Sequence, residues 1–310
     1  MSSLTNPIFH DADKAREYLE AMLWPKGAIC PKCEAVDCAT KVQGKTARAG
    51  LYMCNACRKQ FTVTVNTIYE RSHIPLNKWL FATFLMCASK KGMSAHQISR
   101  MLELPYKTSW FMCHRIRYGM KEKKKVLSPL GGKNKVVECD ESYVGGKARN
   151  RKNYVPPKYA VFGLVERGGK VRSQHIESVT GNNIGRIMRE QIDSASFIMT
   201  DEAPVYKTFG EEFAGHGSVN HSKEEYAKLG GFIHTNSIEN FFSLMKRAIV
   251  GVYHSVSPQH LNLYLAERDF VFNHRSKLGF DDAARTTMAL KSIVGKRLTY
   301  RRTDGQTETA

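Results

Sequence analysis

The chain has 310 residues, of which 42% are hydrophobic and 25% are charged. This composition is typical of a globular protein long enough to bury a core and to form two or three domains. Lys and Arg number 47 against 29 Asp and Glu, a formal net charge of +18, so a polyanionic partner is expected and nucleic acid is the first candidate. No apolar run approaches the ~20 residues of a membrane-spanning helix, and residues 1–20 lack the apolar core of a signal peptide. We therefore expect no membrane association and a location inside the cell.

Four of the eight cysteines occur as two C-x-x-C pairs, Cys30 with Cys33 and Cys54 with Cys57. Each pair can present both sulfurs from one turn, so the two pairs together can bind one tetrahedral Zn²⁺. Redox-active or merely buried cysteines are the alternative. After an N-terminal helix, residues 51–53 and 60–65 alternate like short strands, which predicts a zinc ribbon over residues 1–70 whose structural Zn²⁺ stabilises a small core.

Residues 71–130 contain helical patterns joined by a tight turn. A helix capped at Ser94 runs to Leu102, and a basic, aromatic helix begins at Tyr106. Two short helices of this kind are typical of a helix-turn-helix whose second helix enters a DNA major groove. A three-helix structural bundle is the alternative. The basic run 121–125 predicts a linker. The candidate DNA contacts of this segment are Lys107, Arg115 and Arg117.

Carboxylates lie within the strand pattern of residues 131–290. Asp140 lies inside an apolar strand, where an Asp is costly unless a partner such as a metal ion binds it. Two further strands joined by a hairpin turn, then a helix, then a short strand that ends at Asp201 predict a mixed α/β sheet. In that order Asp140 and Asp201 are expected side by side at the centre of the sheet.

An amphipathic helix is predicted over residues 234–247. Glu239 and Lys246 would share its polar face, because seven residues return a side chain to within about 20° of the first, roughly 10 Å further along the axis. The same stretch has a simpler interpretation, in which Asn236 caps the helix and Glu239 folds back onto it as in a capping box.

These stretches resemble a known family, the IS1595 or ISXO2-like group of DDE insertion-sequence transposases, up to about residue 285. The matching motifs are ECDESYVGGK at 138–147, TDEAPVY at 200–206, HTNSIEN at 234–240, LMKR at 244–247, GVYHSVS at 251–257, YLAE at 264–267 and NHR at 273–275. The resemblance implies a multidomain protein with an N-terminal zinc ribbon, a helix-turn-helix and an α/β ribonuclease-H-like catalytic domain built on a mixed five-stranded sheet at 131–290.

The resemblance also implies the site residues. Asp140, Asp201 and Glu239 would hold two Mg²⁺ or Mn²⁺ ions, and Lys246 with the adjacent Arg247 would contact DNA. Some members of the group end the triad with Asn, so Asn236 is a rival third ligand. Glu141 would replace Asp140 if the strand were shifted by one residue.

The implied function is that of a DNA transposase acting in the bacterial cytoplasm at the nucleoid. It would bind the terminal inverted repeats of an insertion sequence as a homodimer or larger assembly, and would cut and join strands by Mg²⁺-dependent two-metal phosphoryl transfer. The rivals are a nuclease of the same fold that cleaves without joining, and a non-catalytic DNA-binding regulator. A tyrosine recombinase using Tyr143 or Tyr253 is disfavoured, because no supporting Arg-His-Arg cluster follows the expected order.

For several other polar residues, the sequence is compatible with either a functional role or a structural one. Arg149 and Arg151 belong to a basic stretch at 147–158 that is either a mobile loop on the DNA path or a solvated charge run. His234 would orient a ligand or be structural, and Glu138 and Glu202 would lie on the surface or support the catalytic acids. Residues 291–310 are expected to form a disordered basic tail. The acids flanking Asp140 and Asp201 are therefore not assigned a catalytic role by the sequence.

Overall fold

The computed structural model describes residues 4–44, 46–123, 128–145, 157–206, 209–219, 230 and 232–299. The chain divides into two compact units, one made of residues 1–120 with 280–310 and the other of residues 121–279. The sheet domain expected at 131–290 therefore begins at 121 and ends at 279. Within the described part of the chain, no helix is both long and apolar enough to cross a membrane.

The first unit begins with a helix and a small β-sheet. Helix α1 (Ala12–Leu23) is capped by Asp11, whose side chain accepts hydrogen bonds from two backbone N–H groups of the first turn. Strands β1 (Ala39–Lys41), β2 (Tyr52–Cys54) and β3 (Gln60–Phe61) form an antiparallel sheet in that order. Its core is little more than Cys30, Cys54 and Phe61 with a few flanking aromatic rings. So small a core needs a further constraint to be stable, as expected for a zinc ribbon.

The described residues of the first unit also form four α-helices after the ribbon: α2 (Leu76–Ala88), α3 (Ala95–Leu102), α4 (Tyr106–Met120) and α8 (Asp282–Lys291). Helix α8 packs against α2, and the Arg285 guanidinium donates a hydrogen bond to the Cys87 carbonyl oxygen at 2.8 Å. Beyond α8, Ile293 and Lys296 are buried. The expected tail thus starts with packed residues, and residues 300–310 lie outside the described part of the chain.

The second unit is built on a mixed five-stranded sheet, which confirms the predicted sheet. Its strands are β4 (Val136–Gly145), β5 (Lys158–Glu166), β6 (Val171–Ile176), β7 (Phe197–Thr200) and β8 (Gly215–Ser218). They lie in the order β6-β5-β4-β7-β8. Strands β4, β5 and β6 form an antiparallel meander, whereas β7 is parallel to β4 and β8 is parallel to β7. The long strand β4 is therefore the central strand of the sheet.

Helices cover both faces of this sheet. Helix α5 (Gly181–Gln191) packs on the face that carries Val137 and Cys139 of β4. Helices α6 (Asn236–Ala248) and α7 (Pro258–Asn273) pack on the opposite face, where Val144 joins Ile238 and Phe242 in the core. Because strand side chains alternate between faces, Glu138 and Asp140 lie on the α6 side of β4.

Helix α7 also closes one edge of the sheet. The side chains of Asn273, Asp269 and Asn262 accept hydrogen bonds from alternate backbone N–H groups of the edge strand β6, at 2.7, 2.8 and 2.9 Å. An uncovered edge strand can pair with another chain, and these contacts prevent it. They also fix α7 to the sheet.

Candidate functional site

Asp140 lies in the central strand β4, and Asp201 directly follows the neighbouring strand β7. In the parallel pairing of β4 with β7, Glu138 is opposite Met199. Asp140 follows Glu138 by two residues within β4, and Asp201 follows Met199 by two residues, just past the end of β7. Adjacent strands are about 4.8 Å apart, so the parallel register brings Asp201 beside Asp140 in the middle of β4, as the strand order predicts.

Helix α6 brings the other predicted residues over the middle of β4. An open cleft of about 410 Å³ lies between them, lined by Asp140, Glu141, Ser142, Glu239, Phe242, Ser243, Lys246 and Arg247. Lys246 and Arg247 are exposed, and the Arg247 guanidinium donates a hydrogen bond to the Ser243 hydroxyl at 2.9 Å. Two acids and two cations predicted from separate motifs therefore share one cleft.

The acids are close enough to perturb one another. Burial raises the pKa of Asp140 to about 7, against the lowering effect of a 2.7 Å hydrogen bond from the Glu141 N–H. The negative charges of Asp201, Glu141 and Glu239 also raise it. A carboxylate that is hard to ionise beside other carboxylates is stabilised by a bound cation, and divalent Mg²⁺ or Mn²⁺ prefers such oxygen ligands. The donor set thus fits these ions.

Glu239 is held by the residue before the helix. Helix α6 starts at Asn236, and its N-cap residue is Thr235, whose side chain makes no capping hydrogen bond. The Thr235 hydroxyl instead donates to Glu239 Oε1 at 2.6 Å. The predicted Asn236 cap is therefore wrong by one residue. Asn236 is exposed and does not line the cleft, and its backbone N–H donates to His234 Nδ1 at 3.3 Å.

Glu138 is a polar residue whose position the sequence did not reveal. It is fully buried, which contradicts the expectation of a surface position and leaves a supporting position as the alternative. Its Oε2 accepts hydrogen bonds from the backbone N–H groups of Ser237 and Ile238 at 2.7 and 3.0 Å, and its Oε1 accepts one from Arg167 Nε at 2.9 Å. The available signal was strand alternation, which places Glu138 on the same face of β4 as Asp140.

Glu141 lies on the opposite side of β4 from α6. It accepts a hydrogen bond from the hydroxyl of Tyr206, a buried side chain in the 3₁₀ turn after β7. Burial raises the pKa of Glu141, and this hydrogen bond lowers it. With β4 paired in this register, the acid on the α6 face beside Glu239 is Asp140. The strand is not shifted by one residue, so Glu141 does not replace Asp140.

Two of the three predicted DNA contacts on α4 are in the core. Arg115 is 7% exposed and Arg117 is 1% exposed. The Arg115 guanidinium donates to the Glu70 carbonyl oxygen at 2.7 Å and lies 5.2 Å from the Trp79 ring centroid. Neither guanidinium faces solvent, so the prediction that Arg115 and Arg117 contact DNA is wrong. Lys107, on the first turn of α4, is exposed. Arg149 and Arg151 lie outside the described residues.

The four paired cysteines converge as a zinc site requires. The Sγ atoms of Cys30 and Cys57 are 3.7 Å apart, and those of Cys33 and Cys54 are 3.6 Å apart. Four sulfurs bound at about 2.3 Å around one ion would be about 3.8 Å from one another. All four ligand atoms lie within 4.8 Å of one another, and among the described residues no other group of three or more His, Cys, Asp or Glu side chains is so compact. The carboxylates of Asp140, Asp201 and Glu239 do not form so compact a group.

Two stretches of the chain match known protein families. Residues 10–60 match the family of transposase zinc-ribbon domains, and residues 129–273 match the family of ISXO2-like transposase domains. The chain belongs to the IS1595 (ISXO2-like) transposase family. The ribbon of this transposase-family protein carries the Cys₄ cluster, and the matched transposase domain begins before β4 and ends with α7.

A curated protein and a solved structure are similar to this IS1595-family protein. A protein of Halobacterium salinarum, described as an uncharacterized protein in transposable element ISH50, is 25% identical over 270 residues, which cover 81% of this chain and 87% of that protein. The solved Mos1 transposase paired-end complex with the left transposon end is 11% identical, and the match covers 58% of this chain and 76% of the Mos1 chain. Its TM-score is 0.22, which does not establish a common fold.

Proposed function

We propose that this protein is a DNA transposase whose ribonuclease-H-like domain cuts and joins DNA with the carboxylates of Asp140, Asp201 and Glu239. The proposal is supported by three acids in a transposase-family domain: Asp140 lies in the central strand β4, Asp201 directly follows the neighbouring strand β7, and Glu239 lies in the first turn of α6. The charges of both Asp201 and Glu239 act on Asp140, so it is the acid suited to share ions with both. Glu239 rather than Asn236 is assigned as the third ligand, because Glu239 lines the cleft beside Asp140 and its charge raises the pKa of that acid.

The chemistry proposed for this cleft is in-line displacement at phosphorus. Water attacks a phosphodiester at the element's end and a 3′ hydroxyl leaves, and that 3′ hydroxyl then attacks a phosphodiester of target DNA, from which a 3′ oxygen leaves. Two Mg²⁺ or Mn²⁺ ions held by the three acids would activate the attacking oxygen and stabilise the leaving one. Lys246 and Arg247 lie on the exposed side of the same cleft and would bind flanking phosphates.

Recognition of the terminal repeats is assigned to the first unit. In a helix-turn-helix, residues near the start of the second helix contact base edges. The start of α4 exposes Tyr106 and Lys107, whereas its second half is buried on nearly all sides. DNA contact by α4 is therefore proposed for its first turn only. The zinc ribbon would add a second DNA-binding surface, and two copies would bring two DNA ends together.

Strand transfer on defined DNA tests this proposal and separates it from its rivals. Labelled duplexes taken from the DNA on either side of the gene are incubated with the protein, a plasmid target and Mg²⁺. A transposase releases 3′ ends and joins them to the plasmid. A nuclease releases ends without joining them, and a DNA-binding regulator shifts the duplex on a native gel without cutting it. Either of these two results would overturn the proposal, and sedimentation with the duplex would show whether two copies assemble.

A further inference from the structure

The N-terminus of helix α6 is capped from another element. The backbone N–H groups of the first turn of a helix have no partner within it and are usually satisfied by the side chain of the N-cap residue. In α6, two of these groups, those of Ser237 and Ile238, donate to Glu138 Oε2 on strand β4. The Ser237 hydroxyl donates to Glu138 Oε1 at 3.0 Å. The start of the helix is therefore bound directly to the central strand.

Because Glu138 caps α6, the side chain of the N-cap residue Thr235 has a different partner. Thr235 makes no capping bond, and its hydroxyl donates to the Glu239 carboxylate at 2.6 Å. Thr235 is 2% exposed, so water does not compete easily for that hydrogen bond. Because Glu138 satisfies the helix N–H groups, the threonine hydroxyl can orient Glu239 instead. The orientation of Glu239 by Thr235 therefore depends on the capping of α6 by Glu138.

Arg167 completes the arrangement by neutralising the buried acid. A buried carboxylate is strongly unfavourable without a charged partner, and the Arg167 Nε donates to Glu138 at 2.9 Å. Its two terminal nitrogens donate to the carbonyl oxygens of Phe232 and His234 at 2.8 and 3.1 Å. One guanidinium thus binds both Glu138 and the segment that leads into α6.

We propose that Glu138 is the positioning residue for Glu239, a role that rests on the function proposed above. Glu138 and Asp140 point to the same face of one rigid strand, about 6.6 Å apart along it. The first holds the start of α6, and the second is a proposed ligand. Glu239 follows Ile238, whose N–H is bound to Glu138. Fixing that N–H sets where the Glu239 carboxylate can lie relative to Asp140.

Binding of Mn²⁺ without DNA is the primary test, measured by titration calorimetry on the full chain. Loss of a group that orients metal ligands typically weakens metal affinity by about 10–100-fold. We expect Glu138→Ala to weaken Mn²⁺ binding by this amount and to shift the Mn²⁺ concentration for half-maximal cleavage upward in parallel. Cleavage should recover at high Mn²⁺, and affinity for the flanking duplex should stay unchanged.

A matched control separates positioning from loss of stability. Asp269 is a partly buried carboxylate that also accepts hydrogen bonds from a backbone N–H and a serine hydroxyl, those of Ser173 at 2.8 and 2.6 Å, but it lies on α7. Asp269→Ala should lower the melting temperature and leave Mn²⁺ affinity unchanged. If both alanine variants weakened Mn²⁺ binding equally, or if neither did, Glu138 would not be a positioning residue.

A milder variant covers the case in which Glu138→Ala does not fold. Ser237→Ala removes one hydrogen bond to Glu138 and leaves the backbone contacts, so it should weaken Mn²⁺ binding by less than the Glu138 variant. Unchanged Mn²⁺ affinity in folded Ser237→Ala would then overturn the inference. If the wild-type chain itself neither binds Mn²⁺ nor cleaves the duplex, the proposed function fails and the inference fails with it. If the wild-type chain does both, variants that do not behave as expected contradict only the positioning role of Glu138 and leave the proposed function intact.

Discussion

The Thr235 hydroxyl donates a hydrogen bond of 2.6 Å to Glu239 Oε1, so the residue before α6 binds the acid one turn into it. A hydrogen bond to a charged group contributes about 1.5–3 kcal/mol. We predict that Thr235→Val, which keeps the shape of the buried side chain, raises the Mg²⁺ concentration needed for half-maximal cleavage. Thr235→Ser keeps the hydroxyl and should behave like the wild type. Equal metal requirements for the two variants would contradict this role.

Glu239 rather than Asn236 is predicted to be the third metal ligand, beside Asp140 and Asp201. Glu239→Gln should reduce cleavage of the flanking duplex below detection, because an amide is a far weaker ligand for Mg²⁺ than a carboxylate. Asn236→Ala should retain cleavage, because this exposed side chain does not line the cleft. Cleavage rates and duplex binding are measured for both variants. Loss of activity in Asn236→Ala with binding intact would reverse the assignment.

The exposed cations should account for part of the salt dependence of DNA binding. Each phosphate contact contributes a slope of about −0.9 to the logarithm of the binding constant against the logarithm of salt concentration. Lys246→Ala and Lys107→Ala should each reduce the magnitude of that slope by about one. Arg115→Ala is the comparison, because Arg115 is buried: it should lower the melting temperature and leave the slope unchanged. A slope change in Arg115→Ala would restore this residue as a DNA contact.

Zinc removal should affect the ribbon selectively. The core of the ribbon is small, so loss of Zn²⁺ should unfold residues 10–60. Cys57→Ser should reduce bound zinc, measured by elemental analysis, and weaken binding of the flanking duplex. Hydrogen exchange of the five-stranded sheet should not change, nor should Mg²⁺-dependent cleavage of DNA that is already bound. Faster exchange throughout that sheet would show that zinc supports more than the ribbon.

Asp269 should make the protein less stable as pH rises. Burial raises the pKa of Asp269 to about 8, while its hydrogen bonds with Ser173 lower it. The folded protein therefore keeps a proton that the unfolded chain loses above about pH 4, so the free energy of unfolding falls between pH 4 and pH 8, by at most about 1.4 kcal/mol per pH unit. Asp269→Asn mimics the protonated acid and should lose less stability over that range in denaturant titrations. Parallel pH profiles for the two proteins would refute this.

Much of the architecture could be predicted because its signals are local. The C-x-x-C spacing, the alternation in β4 and the helical period of α6 depend on neighbouring residues and on backbone geometry alone. The zinc ribbon and the mixed sheet followed from them and are confirmed. The predicted Asn236 cap was one residue late because Asn and Thr are both good cap residues and the sequence does not show which one begins the turn.

The sequence by itself determined the family, the ribbon's ligands and the motifs that carry the candidate acids, since each is written in residue types at fixed spacing. Only the tertiary structure decided which charges are buried. Arg115 and Arg117 resemble surface cations in the sequence, yet the helices around α4 enclose them. Glu138 resembles a flanking acid, yet it caps a helix that follows it by almost a hundred residues. The physical reason is that the environment of a charged side chain depends on groups brought near it by folding, and spacing along the chain does not encode those groups.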